Sequence, residues 1–573
     1  MKKISGAELT VRVLIEQNID TVFGYPGGQV LDIYESLYRH RKEIKHVLTA
    51  HEQGAAHAAD GYARATGKTG VVIATSGPGA TNLVTGIAAA YMDSIPVVAI
   101  TGNVPTSQIG TDCFQEVDIT GITMPITKHN FFVDSVDKLV ETLRNAFRLA
   151  KSGRPGPVLV DIPKDVQETL CDYVQAAPVA KDEPFAAKDI RIEEAAKAIS
   201  ASKRPFIYFG GGIISSGAEE ELLELSDILD APMGCSMMGL SCIPAGHPRF
   251  LGMQGMHGHY ASTMSMNKAD VIIALGVRFN DRSTNDRFKF ETNAKLVHID
   301  ADGSELEKNV STYCGLRGDL KETLKLLLPL IRAKLKEADN DCVSVKNGSR
   351  TANSESWWKI IERFRKEELK MTEKIAPESF IPYNIYKLFN EFKNDNTPVA
   401  TDVGQHQVWT AQYLKFNNKR KFISNGGLGA MGYGLGAAIG ASIGTGERSL
   451  LITGDGSFGM NLNELATAVE YRIPVVIVII NNKTLGMVRQ YQTLFYKKHY
   501  SATDLDRKTD FIALAKAFGA DGAKADSLEA LKAALEKGFS TKGPFVIDCS
   551  INKDELVMPM FKPGGNTEDI ILG

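Results

Sequence analysis

One pattern recurs along the chain: short apolar runs, rich in β-branched residues, alternate with helix-like segments. The runs tend to be followed by glycine, as where Pro205 to Phe209 leads into Gly210 and Val271 to Leu275 leads into Gly276. A short run without polar alternation is typical of a strand that is buried on both faces of a parallel sheet. The pattern therefore predicts an α/β protein built from doubly wound parallel sheets.

The length of 573 residues exceeds what one hydrophobic core supports, so we expect three domains. Two stretches with little periodicity, 174–188 and 336–356, are interpreted as linkers. The expected domains are residues 1–173, a central 189–335 and a C-terminal 376–548, followed by a tail over 549–573. A helix is expected over Pro78 to Tyr91, and strands are expected at Val71 to Thr75, Pro96 to Thr101, Val158 to Ile162, Pro205 to Phe209, Val271 to Leu275, Leu296 to Ile299, Val399 to Thr401, Leu450 to Thr453, Val475 to Ile480 and Pro544 to Asp548.

Charge and cysteine content narrow the classes of partner. The 65 basic and 68 acidic residues leave a net charge of -3, which gives no field to attract nucleic acid or an anionic membrane. The 7 cysteines are scattered and include no CxxC pair, which favours a reducing compartment. No signal or transit segment precedes the first amphipathic stretch, and the strongest apolar run, Ile473 to Ile480, is too short to span a bilayer. We expect a cytoplasmic protein that acts on small molecules.

Two polar motifs follow neighbouring apolar strands in the last third of the chain. Gly454-Asp455-Gly456 follows Leu450 to Thr453, and Asn481-Asn482 follows Val475 to Ile480, with an offset of 27 residues from Asp455 to Asn482. Parallel strands present their carboxyl ends at one edge of a sheet, where ligands bind. A carboxylate and an amide oxygen there suit Mg²⁺, and glycines let a diphosphate approach the backbone. A Gly-Asp-Gly segment alone is equally typical of a tight turn, and the Asn-Asn pair decides between the two interpretations.

This spacing resembles the thiamine diphosphate signature. The resemblance implies that the side chains of Asp455 and Asn482 and the backbone carbonyl of Thr484 bind the metal ion. It also implies an acid that activates the aminopyrimidine ring of the cofactor, for which Glu52 in His51-Glu52-Gln53 is the candidate. A lone His-Glu pair is more often an ordinary helix start, and Ala55 excludes an HExxH zinc motif.

Two further patterns are weaker. Gly61 to Thr69 ends in Gly-Lys-Thr, but five residues separate its glycines where a phosphate-binding P-loop requires four, so ATP binding is not expected. Gly210-x-Gly212-x-x-Ser215 after a strand resembles a dinucleotide-binding turn. That turn agrees with FAD in the central domain and does not establish it.

The resemblance extends over nearly the whole chain and is to the acetohydroxyacid synthase family. It rests on Phe23-Gly24-Tyr25-Pro26-Gly27-Gly28, His51-Glu52-Gln53, Thr75-Ser76-Gly77-Pro78-Gly79, Phe114-Gln115-Glu116-Val117-Asp118, Lys128-His129-Asn130, Gly255-Met256-His257-Gly258, Val403-Gly404-Gln405-His406-Gln407, Gly427-Leu428-Gly429-Ala430-Met431-Gly432 and Leu485-Gly486-Met487-Val488. It implies three domains that bind, in chain order, the pyrimidine ring, FAD and the diphosphate.

Residue roles follow from the same resemblance. Glu52 would be the ring-activating acid, with Gln115 and the backbone of Gly28 near the reacting carbonyl group. Phe114, Met256 and Met487 would line the substrate side, and Arg282 would receive a substrate carboxylate. The implied cofactor-binding residues are Val403, Gly404, Gln405, His406, Gly429, Met431 as an apolar support, Gly454, Gly456, Ser457, Leu485, Gly486 and Met487 for thiamine diphosphate, and Gly210, Gly211, Gly212, His257, Arg278 and Asp300 for FAD.

Two departures from the family pattern affect specificity and cofactor content. Asn280 replaces an aspartate in Arg278-Phe279-Asn280-Asp281-Arg282, so the segment keeps both arginines but loses one acid. FAD binding is still expected, although this segment does not establish it. Tyr491 stands where the biosynthetic enzymes usually have tryptophan, which weakens the expected preference for 2-oxobutanoate over pyruvate. The alternatives are a degradative, FAD-free acetolactate synthase, a pyruvate-oxidase-type flavoenzyme and a non-catalytic paralogue.

The resemblance also implies partners. The activating acid and the diphosphate motif belong to different domains, which in this family meet across subunits, so a homodimer or homotetramer is expected. A small regulatory subunit is implied as well. The expected substrates are pyruvate and 2-oxobutanoate, and the expected pathway is branched-chain amino-acid biosynthesis.

Overall fold

The computed structural model describes residues 3–187, 190–284, 294–344, 356–505, 507–562, 564–565 and 569–572. Across these residues the chain forms three six-stranded sheets and two short antiparallel strand pairs. The chain divides into two compact units. The first comprises Met1–Glu183, Glu391–Gln407 and Arg420–Glu555, and the second comprises Pro184–Asn390, Val408–Lys419 and Leu556–Gly573.

The N-terminal part of the first unit is a parallel sheet of order β3-β2-β4-β5-β7-β6. Its strands are β2 (Thr21–Tyr25), β3 (Lys45–Leu48), β4 (Gly70–Ala74), β5 (Val97–Asn103), β6 (His129–Phe132) and β7 (Val158–Pro163), and β1 (Ile4–Ser5) pairs separately with β8 (Leu170–Cys171). Its helices are α1 (Gly6–Glu16), α2 (Leu31–Arg39), α3 (Glu52–Thr66), α4 (Pro78–Asn82), α5 (Val84–Asp93), α6 (Ile119–Thr123), α7 (Val136–Lys151) and α8 (Lys164–Glu168).

Strand β4 shows why the apolar runs lack polar alternation. Val71 and Ile73 lie in one hydrophobic cluster, and Val72 and Ala74 lie in another. Successive side chains of a strand point to opposite faces, so helices must cover both faces of this sheet.

The second unit contains a parallel sheet of order β11-β10-β9-β12-β13-β14. Its strands are β9 (Pro205–Phe209), β10 (Met233–Cys235), β11 (Phe250–Met253), β12 (Val271–Leu275), β13 (Lys295–Asp300) and β14 (Cys314–Arg317). Its helices are α9 (Arg191–Ser200), α10 (Gly211–Ser216), α11 (Glu219–Leu229), α12 (Tyr260–Lys268), α13 (Asp281–Thr284), α14 (Leu320–Ser344) and α15 (Trp357–Glu373). This is the strand order of dinucleotide-binding folds, with the order reversing between β9 and β12.

The C-terminal sheet of the first unit is also parallel and has the order β16-β15-β17-β18-β20-β19. Its strands are β15 (Val399–Thr401), β16 (Phe422–Ile423), β17 (Ser449–Gly454), β18 (Val475–Asn481), β19 (Asp521–Ala525) and β20 (Phe545–Ser550). The helices of this part of the chain are α16 (Pro382–Phe392), α17 (Gln405–Tyr413), α18 (Tyr433–Thr445), α19 (Asp455–Asn461), α20 (Glu464–Glu470), α21 (Gly486–Phe495), α22 (Phe511–Ala517) and α23 (Leu528–Ser540). In the tail, β21 (Met560–Phe561) pairs with β22 (Ile570–Ile571).

Short 3₁₀ turns complete the secondary structure. They lie at Gly28–Val30, Thr106–Gln108, Met124–Ile126, Met237–Gly239 and Gly303–Glu305. Within the described part of the chain, none of the helices combines the length and apolarity that crossing a bilayer requires.

The two sheets of the first unit share one topology. Numbered within each sheet, their strands follow the same order, and α3 and α18 occupy equivalent places between the second and third strands. These two helices pack against each other through small residues. A Cβ atom on Gly440 would overlap the carbonyl oxygen of Ala58, and one on Gly436 would lie 2.8 Å from the carbonyl oxygen of Gly54. The backbones can approach so closely only because these positions have no side chain.

The structure confirms the predicted α/β class and its three parallel sheets, with every predicted strand present to within a few residues. The helix predicted over Pro78 to Tyr91 is divided into α4 and α5, because the Leu83 N–H closes a tight turn onto the Ala80 carbonyl oxygen at 3.1 Å. Residues 174–187 contain neither helix nor strand, as predicted.

The linker predicted over 336–356 is wrong at its start. Helix α14 continues to Ser344, and residues 345–355 lie outside the described part of the chain. The buried side chains of Leu324, Leu327, Leu328 and Ile331 pack the first turns of α14 into the core, and the helix continues beyond them.

Candidate active site

Asp455 and Asn482 lie beside each other at the carboxyl edge of the C-terminal sheet. Gly454 pairs with Ile480 in the β17–β18 register, so the residues that follow the two strands are neighbours. Asp455 begins α19, and Asn482 follows β18 directly. The convergence predicted from the strand ends is therefore present in the structure.

The turn after β18 is held in place by hydrogen bonds. The Asn482 amide nitrogen donates to the Gln405 side-chain oxygen at 3.2 Å, and the Asn482 oxygen accepts from the Thr484 N–H at 3.2 Å. The Thr484 hydroxyl group donates to the Thr503 carbonyl oxygen at 2.7 Å, and the Leu485 N–H donates to the same oxygen at 2.8 Å. These four hydrogen bonds together fix the conformation of the turn.

Asp455 is a buried acid, 8% exposed. Burial raises the pKa of its carboxyl group to about 6, opposed by hydrogen bonds from its own N–H and that of Gly456. A bound cation would favour the ionised form of such a group. Asp455, Asn482 and the backbone at Thr484 present only oxygen atoms as ligands, the type that Mg²⁺ prefers. Among the described residues, no three histidine, cysteine or carboxylate side chains group into another kind of metal site.

Glycines surround this pair. A Cβ atom on Gly456 would lie 3.1 Å from Leu485 and 3.7 Å from the methyl carbon of Met431, and one on Gly486 would lie 2.6 Å from the Asn482 amide nitrogen. The Ser457 hydroxyl group donates to the Val403 carbonyl oxygen at 2.9 Å. A Cβ atom on Gly454 would lie 3.0 Å from the His406 ring.

The structure therefore brings most of the predicted diphosphate-binding residues to one sheet edge. Gly429 lies near Val403, since a Cβ atom on it would be 3.9 Å from the Val403 side chain, and Met487 is a half-buried residue in the first turn of α21. The residues that this edge brings together are Val403, Gln405, His406, Gly429, Met431, Gly454, Asp455, Gly456, Ser457, Asn482, Thr484, Leu485 and Gly486, with Gly404 and Met487 adjacent to them in the chain.

The loop over residues 425–432, which carries Gly429 and Met431, is held by two buried acids that no sequence motif indicates. Asp402 accepts from the N–H of Gly432 at 2.8 Å, and burial raises its pKa to about 6. Asp93 accepts from the N–H groups of Gly426 and Gly427, at 3.1 and 2.8 Å. Asp93 also pairs with the buried Arg64 on α3 at 2.8 Å. The N-terminal domain thus helps to position a loop of the C-terminal domain.

Glu52 begins α3 at the opposite end of the sequence. The His51 side chain caps the helix by accepting from the Gln53 N–H at 3.1 Å. The buried Glu52 carboxylate accepts from the Asn82 amide nitrogen at 3.0 Å, and a Cβ atom on Gly79 would lie 3.3 Å from its other oxygen. Asn82, which no sequence motif indicates, therefore orients the predicted acid.

Gln115 and Gly28 lie against the same loop, Thr75 to Gly79. A Cβ atom on Gly77 would lie 2.9 Å from the backbone of Gln115, and Gly77 itself has φ +57°. The Thr75 hydroxyl oxygen accepts from the Gln29 N–H at 3.3 Å, next to Gly28, and the space beside Gly28 is open within 4 Å. The structure thus gathers the three predicted catalytic residues around one loop.

The segment before Gln115 leaves an aromatic ring in solvent. Phe114 is 84% exposed. Glu116 accepts from the N–H groups of Gly110 and Cys113, and these hydrogen bonds, with that of Gly110 the largest effect, lower the pKa of Glu116. The loop is therefore closed on itself, with Phe114 at its surface.

In the second unit, the predicted FAD residues lie where the strand order reverses. Gly210 follows β9, and its N–H donates to the Leu275 carbonyl oxygen at the end of β12 at 3.0 Å. A Cβ atom on Gly212 would lie 2.6 Å from Gly276, so this glycine permits close packing between α10 and β12. Gly211 begins α10, Arg278 follows β12 and Asp300 ends β13. The topology and these positions fit a dinucleotide.

Three further predicted residues lie near one another in the second unit. The Met256 N–H donates to the Arg282 carbonyl oxygen at 2.7 Å, and the Arg282 guanidinium lies 3.2 Å from the Met256 sulfur. The His257 ring forms a hydrogen bond with the Pro559 carbonyl oxygen at 3.2 Å, and burial lowers the pKa of His257 to about 4.

Tyr491 lies on α21 of the first unit, with its ring 5.7 Å from that of Phe495.

Asn280 explains part of one departure from the family pattern. Its side-chain oxygen accepts from the Ser283 N–H at 3.1 Å and so caps α13, which carries Arg282. Asparagine and aspartate are equally good caps, so this substitution keeps the helix that presents Arg282.

Three family models match the chain in succession. They are the N-terminal TPP binding domain of thiamine pyrophosphate enzymes over residues 4–122, the central domain over 192–327 and the C-terminal TPP binding domain over 402–549. The probable acetolactate synthase large subunit of Methanocaldococcus jannaschii is 43% identical over 99% of this chain and 95% of that protein. The isozyme 3 large subunit of Escherichia coli acetolactate synthase is 42% identical over 100% of this chain and 99% of that protein.

The chain belongs to the acetolactate synthase family of thiamine pyrophosphate enzymes. An acetolactate synthase of Mycobacterium bovis is also similar, 41% identical over 100% of this chain and 92% of that protein. The predicted family and activity are confirmed, and the pyruvate-oxidase-type and degradative alternatives are not favoured.

Proposed function

We propose that the edge of the C-terminal sheet binds the diphosphate of thiamine diphosphate through Mg²⁺. The ligands are the side chains of Asp455 and Asn482 and the backbone carbonyl of Thr484. Support comes from the oxygen-only donor set and from the glycines that leave the backbone accessible. When bound, thiamine diphosphate supplies the nucleophilic carbon and the electron sink that decarboxylation of a 2-oxo acid requires.

Glu52 shares a proton with a nitrogen of the aminopyrimidine ring. Its burial and the hydrogen bond from Asn82 give the carboxyl group one orientation, as a group that transfers a proton requires. Gln115 and the backbone of Gly28 lie near the reacting carbonyl oxygen of the substrate, beside the open space at Gly28. The apolar side chain of Met431 packs against the cofactor and supports it.

The substrates are pyruvate and a second 2-oxo acid, which is pyruvate or 2-oxobutanoate. The products are 2-acetolactate and 2-aceto-2-hydroxybutanoate, which serve branched-chain amino-acid biosynthesis. Arg282 receives the carboxylate of the second substrate, a role that its 62% exposed side chain leaves open. Phe114, Met256 and Met487 line the substrate side. Tyr491 presents a smaller ring than tryptophan, which lowers the preference for 2-oxobutanoate.

The central domain binds FAD through Gly210, Gly211, Gly212, His257, Arg278 and Asp300. The strand order and the close packing of Gly212 on Gly276 support this assignment. A yellow chromophore that stays with the purified protein, with a flavin spectrum after denaturation, is the expected result. A colourless enzyme of full activity would contradict the FAD assignment without affecting the others.

The active enzyme is a homodimer or homotetramer that works with a small regulatory subunit in the cytoplasm. Support for the regulatory subunit comes from relatives that are named large subunits. Support for the oligomer comes from the placement of Glu52 and Asp455 in different domains.

The observation that carries the proposed roles is the position of Glu52, buried at the N-terminus of α3 with its carboxylate on Asn82. The test is an assay with pyruvate, Mg²⁺ and thiamine diphosphate, with and without 2-oxobutanoate. Glu52→Gln is expected to lower kcat by about 10²- to 10⁴-fold, the usual contribution of a positioned proton-transfer group. Thiamine diphosphate should still bind, as titration of tryptophan fluorescence would show. Activity within a few-fold of wild type would contradict the role of Glu52.

A further inference from the structure

Glu464, the first residue of α20, is a buried acid of the C-terminal domain that no step above uses. Its side chain has no solvent exposure. Its two carboxylate oxygens accept from the N–H of Ala50 at 3.2 Å and from the N–H of His51 at 3.0 Å. The Thr467 hydroxyl group donates to the same carboxylate at 2.7 Å. Glu464 therefore binds the backbone immediately before Glu52.

The first turn of α3 is shaped to receive this carboxylate. A Cβ atom on Gly54 would overlap the Glu464 side chain, so glycine at that position lets the helix rest directly on the acid. A negative charge at a helix N-terminus is favourable, because the N–H groups there have no partners within the helix. The contact joins residues more than 400 positions apart in sequence, and both lie in the first compact unit.

The two acids also act on each other electrostatically. Burial raises the pKa of Glu464, hydrogen bonds from Thr467, Ala50 and His51 oppose that rise, and the charge of Glu52 adds to it. Two carboxylates close enough to interact disfavour simultaneous ionisation. The hydrogen bonds from the backbone offset the energetic cost of burying the Glu464 carboxylate. They also hold its side chain against the first turn of α3.

We propose that Glu464 is a positioning residue, which fixes the backbone at Ala50 and His51 so that the Glu52 carboxylate is held at the N-terminus of α3 in its working orientation. The inference deepens the role of Glu52 proposed above and rests on it. Asn82 holds the Glu52 side chain, and Glu464 holds the peptide from which that side chain projects. Misplacement of a reacting group by about 1 Å can cost about 10²-fold in rate.

The test compares Glu464→Gln with a matched control. Glutamine keeps the size of the side chain, but its amide nitrogen cannot accept a hydrogen bond, so one of the two backbone N–H groups loses its acceptor. Glu16→Gln is the control, because Glu16 on α1 is also a buried acid, bound by Arg144, Tyr173 and the Ala176 N–H, and it makes none of the contacts of Glu52.

Two measurements are made on both variants. Hydrogen–deuterium exchange of the cofactor-free protein should be faster in peptides covering residues 48–55 in Glu464→Gln and unchanged there in Glu16→Gln. In steady-state kinetics, Glu464→Gln should lower kcat by about 10- to 100-fold while the dissociation constant for thiamine diphosphate changes by less than about threefold. Glu16→Gln should keep its kcat and lose only thermal stability.

Each outcome bears on the proposal separately from the role of Glu52. Unchanged exchange at residues 48–55, or faster exchange with unaltered kcat, would overturn it. An equal fall of kcat in Glu16→Gln would reduce the effect to general destabilisation and overturn it too. If Glu464→Gln fails to fold, Gly54→Ala, which displaces the carboxylate, is expected to give the same split between kcat and cofactor affinity. If Glu52→Gln is fully active, the proposed function fails, whereas the exchange result still tests the contact itself.

Discussion

At the scale of single residues, side chains within a sequence motif could be predicted, and side chains that act through tertiary contacts could not. Glu52, Asp455 and Asn482 could be predicted because each lies in a local motif whose residue types match a chemistry. Asn82 and Glu464 could not, since they are separated from the groups they bind by 30 and by more than 400 residues. A hydrogen-bond partner brought in by the tertiary fold leaves no periodicity or motif of its own.

Asp161 gives a prediction about pH. This buried acid lies on β7, next to β5. It accepts from the Thr101 hydroxyl group at 2.7 Å and from the Asn103 side-chain amide at 2.6 Å. Burial raises its pKa to about 7. The folded state thus binds the proton more tightly than the unfolded state, so this group favours folding at low pH and that contribution is lost as pH rises from about 4 to about 7.

Replacing Asp161 by Asn should therefore flatten the pH dependence of stability. The wild-type loss is at most about 1.4 kcal/mol for each pH unit in that interval. We expect the melting temperature of Asp161→Asn to fall less than that of wild type between about pH 5 and pH 7.5. Calorimetric scans at several pH values check this, and parallel curves for the two proteins would show that Asp161 does not titrate in the folded chain.

At the scale of elements, the central strands were predictable and the crossing of helices was not. The strands that could be predicted appear in the sequence as apolar runs because both of their faces are buried, as in β4, β5, β12, β17 and β18. Strands β16 and β19 were not predicted, because β16 has only two residues and β19 is partly exposed. Helices α3 and α18 are both rich in alanine and glycine, but that composition does not specify a partner.

The crossing itself follows a regular spacing. Gly54 faces Gly436, Ala58 faces Gly440 and Tyr62 faces Gly444, so positions four apart on one helix meet positions four apart on the other. Rows of residues at this spacing form the ridges through which helices commonly pack. A side chain added at the centre of the crossing has no free space to enter.

Gly440→Ala should consequently destabilise the first unit. Its methyl group would overlap the Ala58 backbone, and overpacking of this kind costs about 1–3 kcal/mol. Gly543→Ala is the control, because nothing lies within 4 Å of a Cβ atom there. The two variants are compared by urea unfolding followed by circular dichroism, and equal midpoints would show that the crossing tolerates a side chain.

At the scale of the whole molecule, the sequence predicted the three sheets and the family, because the apolar runs and motifs recur along the chain. It did not predict that the first and last sheets would belong to one compact unit and the central sheet to the other. That grouping includes long-range contacts such as those of Asp93 on α5, which pairs with Arg64 on α3 and accepts from the N–H groups of residues 426 and 427.

The proposed oligomer leads to a prediction about concentration. If each site needs Glu52 from one chain and Asp455 from another, separated chains are inactive. Specific activity should therefore fall when the enzyme is diluted from about 10 µM to about 10 nM, as mass action requires. Sedimentation over the same range should show the loss of the dimer. A monomer of full specific activity at the lowest concentration would refute the shared site.

The matching strand order of the two sheets in the first unit implies an internal kinship between them. Their equivalent helices meet each other as like surfaces do in an isologous dimer, although both belong to a single polypeptide. An enlarged residue on either helix therefore has to be offset by a reduced one on its counterpart. We expect α3 and α18 to have diverged in step with each other, while the loops at the ends of the two sheets became specialised separately for acid chemistry and for anion binding.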